Sequence, residues 1–175
     1  MQTAISAANF VARLIFYGKI KVKIKKVKEE DLKDILELQK LAYKSEAEIY
    51  GDFSIQPLMQ TMEEITEEFR NYVFIKMIND KEKIIGSVRA KSIGKTCFIG
   101  KLIVNPDFQN QGIGKSLMAE IEKQFTNADN FELFTGNKSL KNIYLYQKIG
   151  FKIFKKEQIN QKLELVYLRK EKSDT

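Results

Sequence analysis

The 175-residue chain contains no histidine and a single cysteine. Without histidine there is no Ser-His-Asp or Cys-His nucleophile and no histidine-based zinc site. Acid and base work then falls to Glu, Asp, Lys, Tyr, a terminus or water. A single cysteine excludes an intrachain disulfide, which suits a reducing compartment, and the cytoplasm is the expected one. Internal repeats, low-complexity tracts and a linker are also lacking, so the chain reads as one domain with a core of its own. No apolar run qualifies as a membrane span. The nearest is "MQTAISAANFVARLIFYGK", residues 1–19, which is slightly short, carries Arg13 and has neither the charged start nor the cleavage site of a signal peptide. It reads as an N-terminal extension of unclear role. The alternatives are an added helix packed on the domain or a partner, a weak targeting segment and a misassigned start, with the first and third favoured.

What is present is lysine. The net charge is +7 and the pI about 9.3, which suggests a nucleic acid, a membrane or a polyanionic cofactor as partner, or only a solvated lysine-rich surface. The lysines are spread along the chain and interleaved with acids, which disfavours nucleic acid.

Hydrophobic periodicity orders the rest. "KIKVKIKKVK" (19–28) alternates lysine with Ile20, Val22 and Ile24, as a half-buried strand near a sheet edge does. Leu32, Ile35, Leu36, Leu38 and Leu41 then recur at helical spacing behind an acidic first turn, and Gly51 ends or interrupts that helix. Pro57 suits the first turn of a second helix, about 57–69, with Glu63, Glu64, Glu67 and Glu68 on its solvent face. Three strands follow in "NYVFIKMIND", "KIIGSVRAKSIG" and "KTCFIGKLIVNP", the last stopped by Pro106. A helix from Gly112 to Phe125 carries Leu117, Met118, Ile121 and Phe125 on one stripe. "FELFT" is a short buried strand, "KSLKNIYLYQKIG" a helix closed by Gly150, and "FKIFKK" with "KLELVYLRK" a final hairpin. The order β-α-α-β-β-β-α-β-α-β-β is that of one α/β domain with a mixed sheet.

The stretch "QNQGIGKS" (109–116) ends like a nucleotide P-loop but has Gln109 where that motif needs its first glycine. The dinucleotide pattern fails as well, because Leu117 takes the third glycine position. What remains is Q-x-x-G-x-G: Gln109, Gly112 and Gly114, between a strand end and a helix start. Free amides and the helix dipole there favour an anion, and the two glycines allow a pyrophosphate to approach closely. Lys115 adds charge. A glycine-rich turn chosen only for geometry fits the motif equally well.

Together, "NPDFQNQGIGKSLM" and "NIYLYQKIGF" resemble the GNAT family of N-acetyltransferases over about residues 20–170, element order included, with 171–175 a polar tail. The resemblance implies a mixed, mostly antiparallel sheet flanked by helices. It also implies acetyl-CoA as donor, direct transfer of the acetyl group to a primary amine of a small molecule or protein, and no metal. The strand before the loop would splay from the next one, and backbone groups of Leu102, Ile103 and Val104 would pair with the pantetheine arm in the gap. Gln109, Asn110, Gln111, Gly112, Ile113, Gly114 and Lys115, helped by Ser116, would hold the pyrophosphate. Asn142 matches the asparagine that contacts the cofactor arm, and Tyr146 the tyrosine beside the thioester sulfur. The chemistry suits those types: backbone N–H groups near Val104 stabilise an oxyanion, and the Tyr146 hydroxyl donates to the leaving sulfur. Tyr144 should face elsewhere and be structural.

Some family members place a glutamate on the strand before the loop to take the amine's proton, but here the stretch is "KTCFIGK", with no carboxylate. Glu46, Glu48, Tyr50 and Asp52 are the candidates for lining an acceptor pocket, and a water chain is an equal candidate for the base. Cys97, in an apolar strand, reads as an inert buried thiol. The competing reading is a non-catalytic module that binds acyl-CoA or CoA as a regulator. Nucleic acid and membrane are not expected partners, and a homodimer is left open.

Overall fold

In the computed structural model the described residues are 13–17 and 20, as backbone, and 21–172. Strand β2 (Ile20–Lys26) alternates as its sequence requires: Val22 and Ile24 are buried, while Lys23 and Lys25 reach out to Glu82. It lies near the sheet edge, one strand in. Strand β1 (Arg13–Tyr17) pairs antiparallel along it. The apolar extension thus contributes a strand where its composition suggests a helix, because "RLIFY" is aromatic and branched and finds an open edge. The rest of the extension lies outside the described residues.

The first helical region divides into α1 (Leu32–Ala42) and α2 (Lys44–Tyr50), closed by Gly51 in the left-handed region at φ 61°. Leu32, Ile35, Leu36 and Leu38 face the core, whereas Leu41 is exposed. The second region also divides, into α3 (Gln56–Met59), with Pro57 in its first turn, and α4 (Met62–Asn71). Thr61 starts α4 with a reciprocal capping box: the Thr61 amide donates to Glu64 Oε2 at 2.8 Å and the Glu64 amide to Thr61 Oγ1 at 3.2 Å.

β3 (Val73–Ile78), β4 (Ile84–Ile93) and β5 (Thr96–Val104) form a meander. Helix α5 (Ile113–Lys123) then crosses to β6 (Asn130–Gly136), and α6 (Leu140–Lys148) leads to the hairpin of β7 (Lys152–Gln158) and β8 (Glu164–Glu171). The spatial order is β1-β2-β3-β4-β5-β6-β8-β7. β5 and β6 pair parallel, and every other neighbouring pair is antiparallel. Leu117, Met118 and Ile121 of α5 are completely buried against the sheet, with Phe125 packing from just beyond the helix. A second cluster, built on Leu32, Ile35, Leu36, Ile65 and Phe74, lies under α1 and α4. β6 is less buried than its composition suggests, since Phe134 is exposed beside Tyr167. Among the described residues no helix is long and apolar enough to cross a membrane.

One contact fixes α2 over the end of β6. The Tyr50 ring lies flush on Gly136, where an added Cβ would sit 2.1 Å from the phenolic oxygen. That oxygen accepts a 2.7 Å hydrogen bond from the Lys138 amide. Gly136→Ala is therefore expected to lower stability by about 1–3 kcal/mol as an overpacking change. In a Tyr50→Ala background the same substitution should cost much less, because the clashing ring is gone. Denaturant unfolding of the four proteins tests this, and equal costs in both backgrounds would rule the docking contact out.

Candidate active site

β5 stays paired with β6 only from Thr96 to Phe98, opposite Asn130 to Glu132. Beyond that point β5 continues against β4 as far as Val104, and β6 continues against β8 as far as Gly136. The strands diverge, leaving one edge of Leu102, Ile103 and Val104 without a strand partner. A bulge marks the divergence: the β4–β5 register shifts between Ser87 and Arg89, and Lys101 takes a left-handed φ of 47°. The Leu102 and Val104 side chains pack on the α5 side, and Ile103 packs under α1.

At the far end of β5, Pro106–Phe108 makes a 3-10 turn that Asn105 caps by accepting from the Asp107 amide. Gln109 closes that turn, and its side-chain amide donates to the Val104 carbonyl at 3.3 Å. Asn110 and Gly112 both have left-handed backbones, at φ 60° and 81°, which turns the chain into α5. The first bond down the helix runs from the Ser116 amide to the Gly112 carbonyl, at 3.0 Å. The amides of Ile113, Gly114 and Lys115 thus belong to the first turn, where a helix has no acceptor of its own to offer. Exposed Gln111 and Lys115 flank them. The two glycines have different local reasons. Gly112 is a conformational requirement. Gly114 lets α5 lie against α6 and β5, since a Cβ there would stand 3.3 Å from Leu145 Cδ2 and 3.6 Å from Leu102 Cδ2. Amides at a helix start beside a lysine, continuous with an open strand edge, are a donor set that fits a pyrophosphate with an amide-bearing arm.

Helix α6 lies beside this gap. Tyr146 is buried at 8% exposure, with its ring against Phe151. Burial, with Tyr43 and Glu46 nearby, pushes its phenol well above the ordinary tyrosine value. It therefore keeps its proton, and can donate a hydrogen bond, throughout the physiological range. Tyr144 faces away as expected, but on the surface at 66% exposure rather than in a packed position.

Asn142 does not stand alone: its side-chain amide donates to Glu46 Oε1 at 3.2 Å. The Ser139 hydroxyl donates to the other Glu46 oxygen. Glu46, from α2, is thus tied to the start of α6 and is close enough to Tyr146 to act on its phenol. The remaining acceptor candidates are placed otherwise. Glu48 is exposed, Tyr50 is bound to the β6–α6 turn, and Asp52 accepts from the Ser54 amide and hydroxyl in a local turn. Those Ser54 hydrogen bonds hold the Asp52 carboxyl below its ordinary value. Cys97 is fully buried, and burial pushes its thiol up to about 12, so it remains protonated and unreactive.

Under α1 and α4, alongside the divergence, is a polar cluster absent from the expected site. Glu68 turns inward rather than to solvent, pairing with Arg89 at 2.9 Å and Lys101 at 3.1 Å. Helix periodicity alone put it outside, and two strand cations draw it in. Gln60 Oε1 accepts from Gln39 Nε2, Arg89 Nη2 and Lys101 Nζ at 2.9, 3.0 and 3.1 Å. Arg89 also donates to Gln39 Oε1 at 3.1 Å. Burial, and repulsion from Arg89, bring Lys101 down to about 8, while burial brings Arg89 down to about 10. Tyr43, at the α1–α2 break, is close enough to Arg89, Glu46 and Glu68 to feel all three, and burial pushes its phenol up to about 12. Tyr43 thus lies between this cluster and Tyr146.

The Acetyltransferase (GNAT) family pattern matches residues 32–151. Among curated proteins, the UPF0157 protein YqkA of Bacillus subtilis is 28% identical over 122 residues, 68% of this chain. The chain spans about a third of that relative's length, 34%. Among solved structures, a GNAT-family acetyltransferase from Staphylococcus aureus Mu50 superposes with a TM-score of 0.70 at 19% identity, covering 86% of this chain and 98% of that one. The PaiA N-acetyltransferase from Thermoplasma acidophilum, in complex with coenzyme A, gives 0.69 at 20% identity, with 86% and 99% covered.

Two substitutions at Gly112 separate its conformational role from its place beside the donor set. Asparagine tolerates a left-handed backbone, so Gly112→Asn should melt close to the parent. Gly112→Val, β-branched at φ 81°, should be destabilised by about 1–2 kcal/mol. Both should weaken coenzyme A binding by tenfold or more in calorimetric titration, because both put a side chain where the pyrophosphate would approach. Full affinity in folded Gly112→Asn would reduce the loop to a turn.

Proposed function

Since the chain belongs to the Acetyltransferase (GNAT) family, we propose that it moves the acetyl group of acetyl-CoA, the family's donor, directly onto a primary amine. The observation that carries this reading is the buried, protonated Tyr146 beside the β5–β6 divergence, one helical turn beyond Asn142. When bound, acetyl-CoA supplies a thioester carbonyl as electrophile and a thiol as leaving group. Backbone groups of Leu102 and Val104 on the open strand edge would bind and orient the arm and offer a donor to the carbonyl oxygen, while Ile103, alternating with them, pairs with Ser87 of β4. The Ile113, Gly114 and Lys115 amides, with the Gln109–Gly112 turn and Ser116, hold the phosphates. The Tyr146 phenolic oxygen keeps its proton until the sulfur departs and donates it there.

An amine must lose a proton before it attacks. Glu46 is the carboxylate suited to draw the ammonium in and take that proton, directly or through water. Its hydrogen bonds to Ser139 and Asn142 fix its position, since two oxygens have about four lone-pair sites and only part of them is used. A lone buried thiol outside any disulfide fits a cytoplasmic enzyme. The amine acceptor is a small molecule or a protein side chain or terminus, and whether two chains associate does not enter the chemistry.

The test is thiol release from acetyl-CoA across a mixed panel of primary amines, with coenzyme A binding measured in parallel. Amine-dependent release is expected. Tyr146→Phe should retain stability and coenzyme A affinity while the rate constant falls about 10- to 1000-fold, the scale of a lost positioned acid. Tyr144→Phe should leave it unchanged. Tight coenzyme A binding without release on any amine would replace the enzyme by a coenzyme A-binding regulator, a reading that the missing carboxylate between Thr96 and Lys101 favours. Parental turnover in Tyr146→Phe would remove the phenol from the chemistry.

A further inference from the structure

The cluster under α1 and α4 has more donors than acceptors. Arg89, Lys101 and both side-chain amides of Gln39 and Gln60 converge there, against one carboxylate, Glu68. Gln60 Oε1 already accepts three donors, one more than its two lone pairs serve well. Gln60 itself is 1% exposed, and its Nε2 has no hydrogen-bond partner among the described residues. Turning the amide over would point that nitrogen at three donors, so the surplus is built in. Glu68 Oε2 lies 2.9 Å from Arg89 Nη2 as an ion pair without a hydrogen bond. The next acid, Glu64, is exposed, and its Oε2 is bound to the Thr61 amide. A buried Arg89 and a half-buried Lys101 face one half-buried carboxylate, Glu68, which leaves a positive charge without its counterpart, a costly arrangement.

This cluster adjoins the diverging stretch of β5. Lys101 and Glu68 are its partly exposed members, at 15% and 26% side-chain exposure, with Arg89 at 4% behind them. Lys101 immediately precedes Leu102 on the diverging stretch of β5. Its left-handed backbone turns the lysine toward α4 while Leu102 packs toward α5. Strain of this kind in a non-glycine residue collects at binding sites.

The geometry points to a carboxylate-binding subsite formed by Lys101, Arg89 and the Gln60 amide, so that the amine acceptor also carries a carboxylate, as an amino acid does. This rests on the acetyltransferase reading and specifies its substrate class. The carboxylate approaches Lys101 Nζ from the open side, and its oxygens give Gln60 Nε2 the acceptor it lacks. Tyr43, at the α1–α2 break, packs against the apolar cluster under α1 and α4 beside this subsite.

The experiment compares amines in pairs that differ only in the carboxylate, each amino acid against its decarboxylated amine and its aminophosphonate, by thiol release from acetyl-CoA. In parallel, thermal shift is read with the N-acetylated amino acids alone, which requires no turnover. At least one amino acid should exceed its decarboxylated partner tenfold or more in kcat/KM and exceed its aminophosphonate. Its N-acetyl product should raise the melting temperature. In Lys101→Met, and independently in Lys101→Gln, the ratio within that pair should fall at least tenfold and the thermal shift should vanish. Turnover of amines with no carboxylate preference, or a preference unchanged in both variants, would overturn the subsite while leaving the acetyltransferase standing. A stronger response to the aminophosphonate would overturn the carboxylate assignment. Absence of both turnover and thermal shift would overturn it too. A thermal shift lost in both variants without turnover on any amine would uphold the subsite and sink the enzyme reading.

Discussion

The parallel ladder between β5 and β6 holds three residue pairs and then ends, while each strand continues along its other neighbour. The rest of the candidate site depends on that interruption. A fully paired β5 would have its backbone groups satisfied and would leave no gap. Two features keep the strands apart. On one side the bulge at Lys101 bends β5 toward α4, where Glu68 holds the lysine. On the other side Tyr50 sits on Gly136 and holds the end of β6 under α2. Asn142 and Tyr146 of α6 and Glu46 of α2 all border this divergence.

Buried charge beside such a gap is a poor device for stability. An ion pair such as Arg89–Glu68 loses about as much in desolvation as it regains in attraction, and a well-packed apolar substitute would often serve stability as well. What the pair does give is position. It fixes α4 on the sheet, orients Lys101 and places Gln60 between two cations. Rigid placement of polar groups next to a reacting group is worth more to a catalyst than a few tenths of a kcal/mol of fold stability.

Much of this was legible locally. Leu117, Met118 and Ile121 declare a buried helix face by spacing alone, and Gly51 and Gly150 mark helix ends that do adopt left-handed backbones. The Q-x-x-G-x-G turn can be read because its requirements, left-handed φ and a helix start, lie within eight residues of sequence. Contacts across the chain could not be read this way. Glu68 sits among four acids that look equally solvated, and only Arg89 and Lys101, on separate strands, distinguish it. Ser139 and Tyr43 carry no motif, and their partners lie 93 positions away in one case and on three different elements in the other. β1 is hidden for the same reason: "RLIFY" becomes a strand because the edge of β2 is open, which composition does not reveal.

The short β5–β6 ladder has a further consequence for how the molecule moves. The backbone bonds of the sheet fall into two blocks, β1 to β5 and β6 with β8 and β7, joined mainly through the residues at 96–98 and 130–132. Beyond that seam the blocks are held by side chains of α5 and the core, which are strong in sum but not directional. Opening along the seam breaks few hydrogen bonds, so it is the natural boundary between two cooperative units. Unfolding of the β6–β8–β7 block as a unit would then expose its amides while the β3–β5 meander stays protected, and a ligand threaded between β5 and β6 would act as a staple across that boundary, closing the seam as it binds.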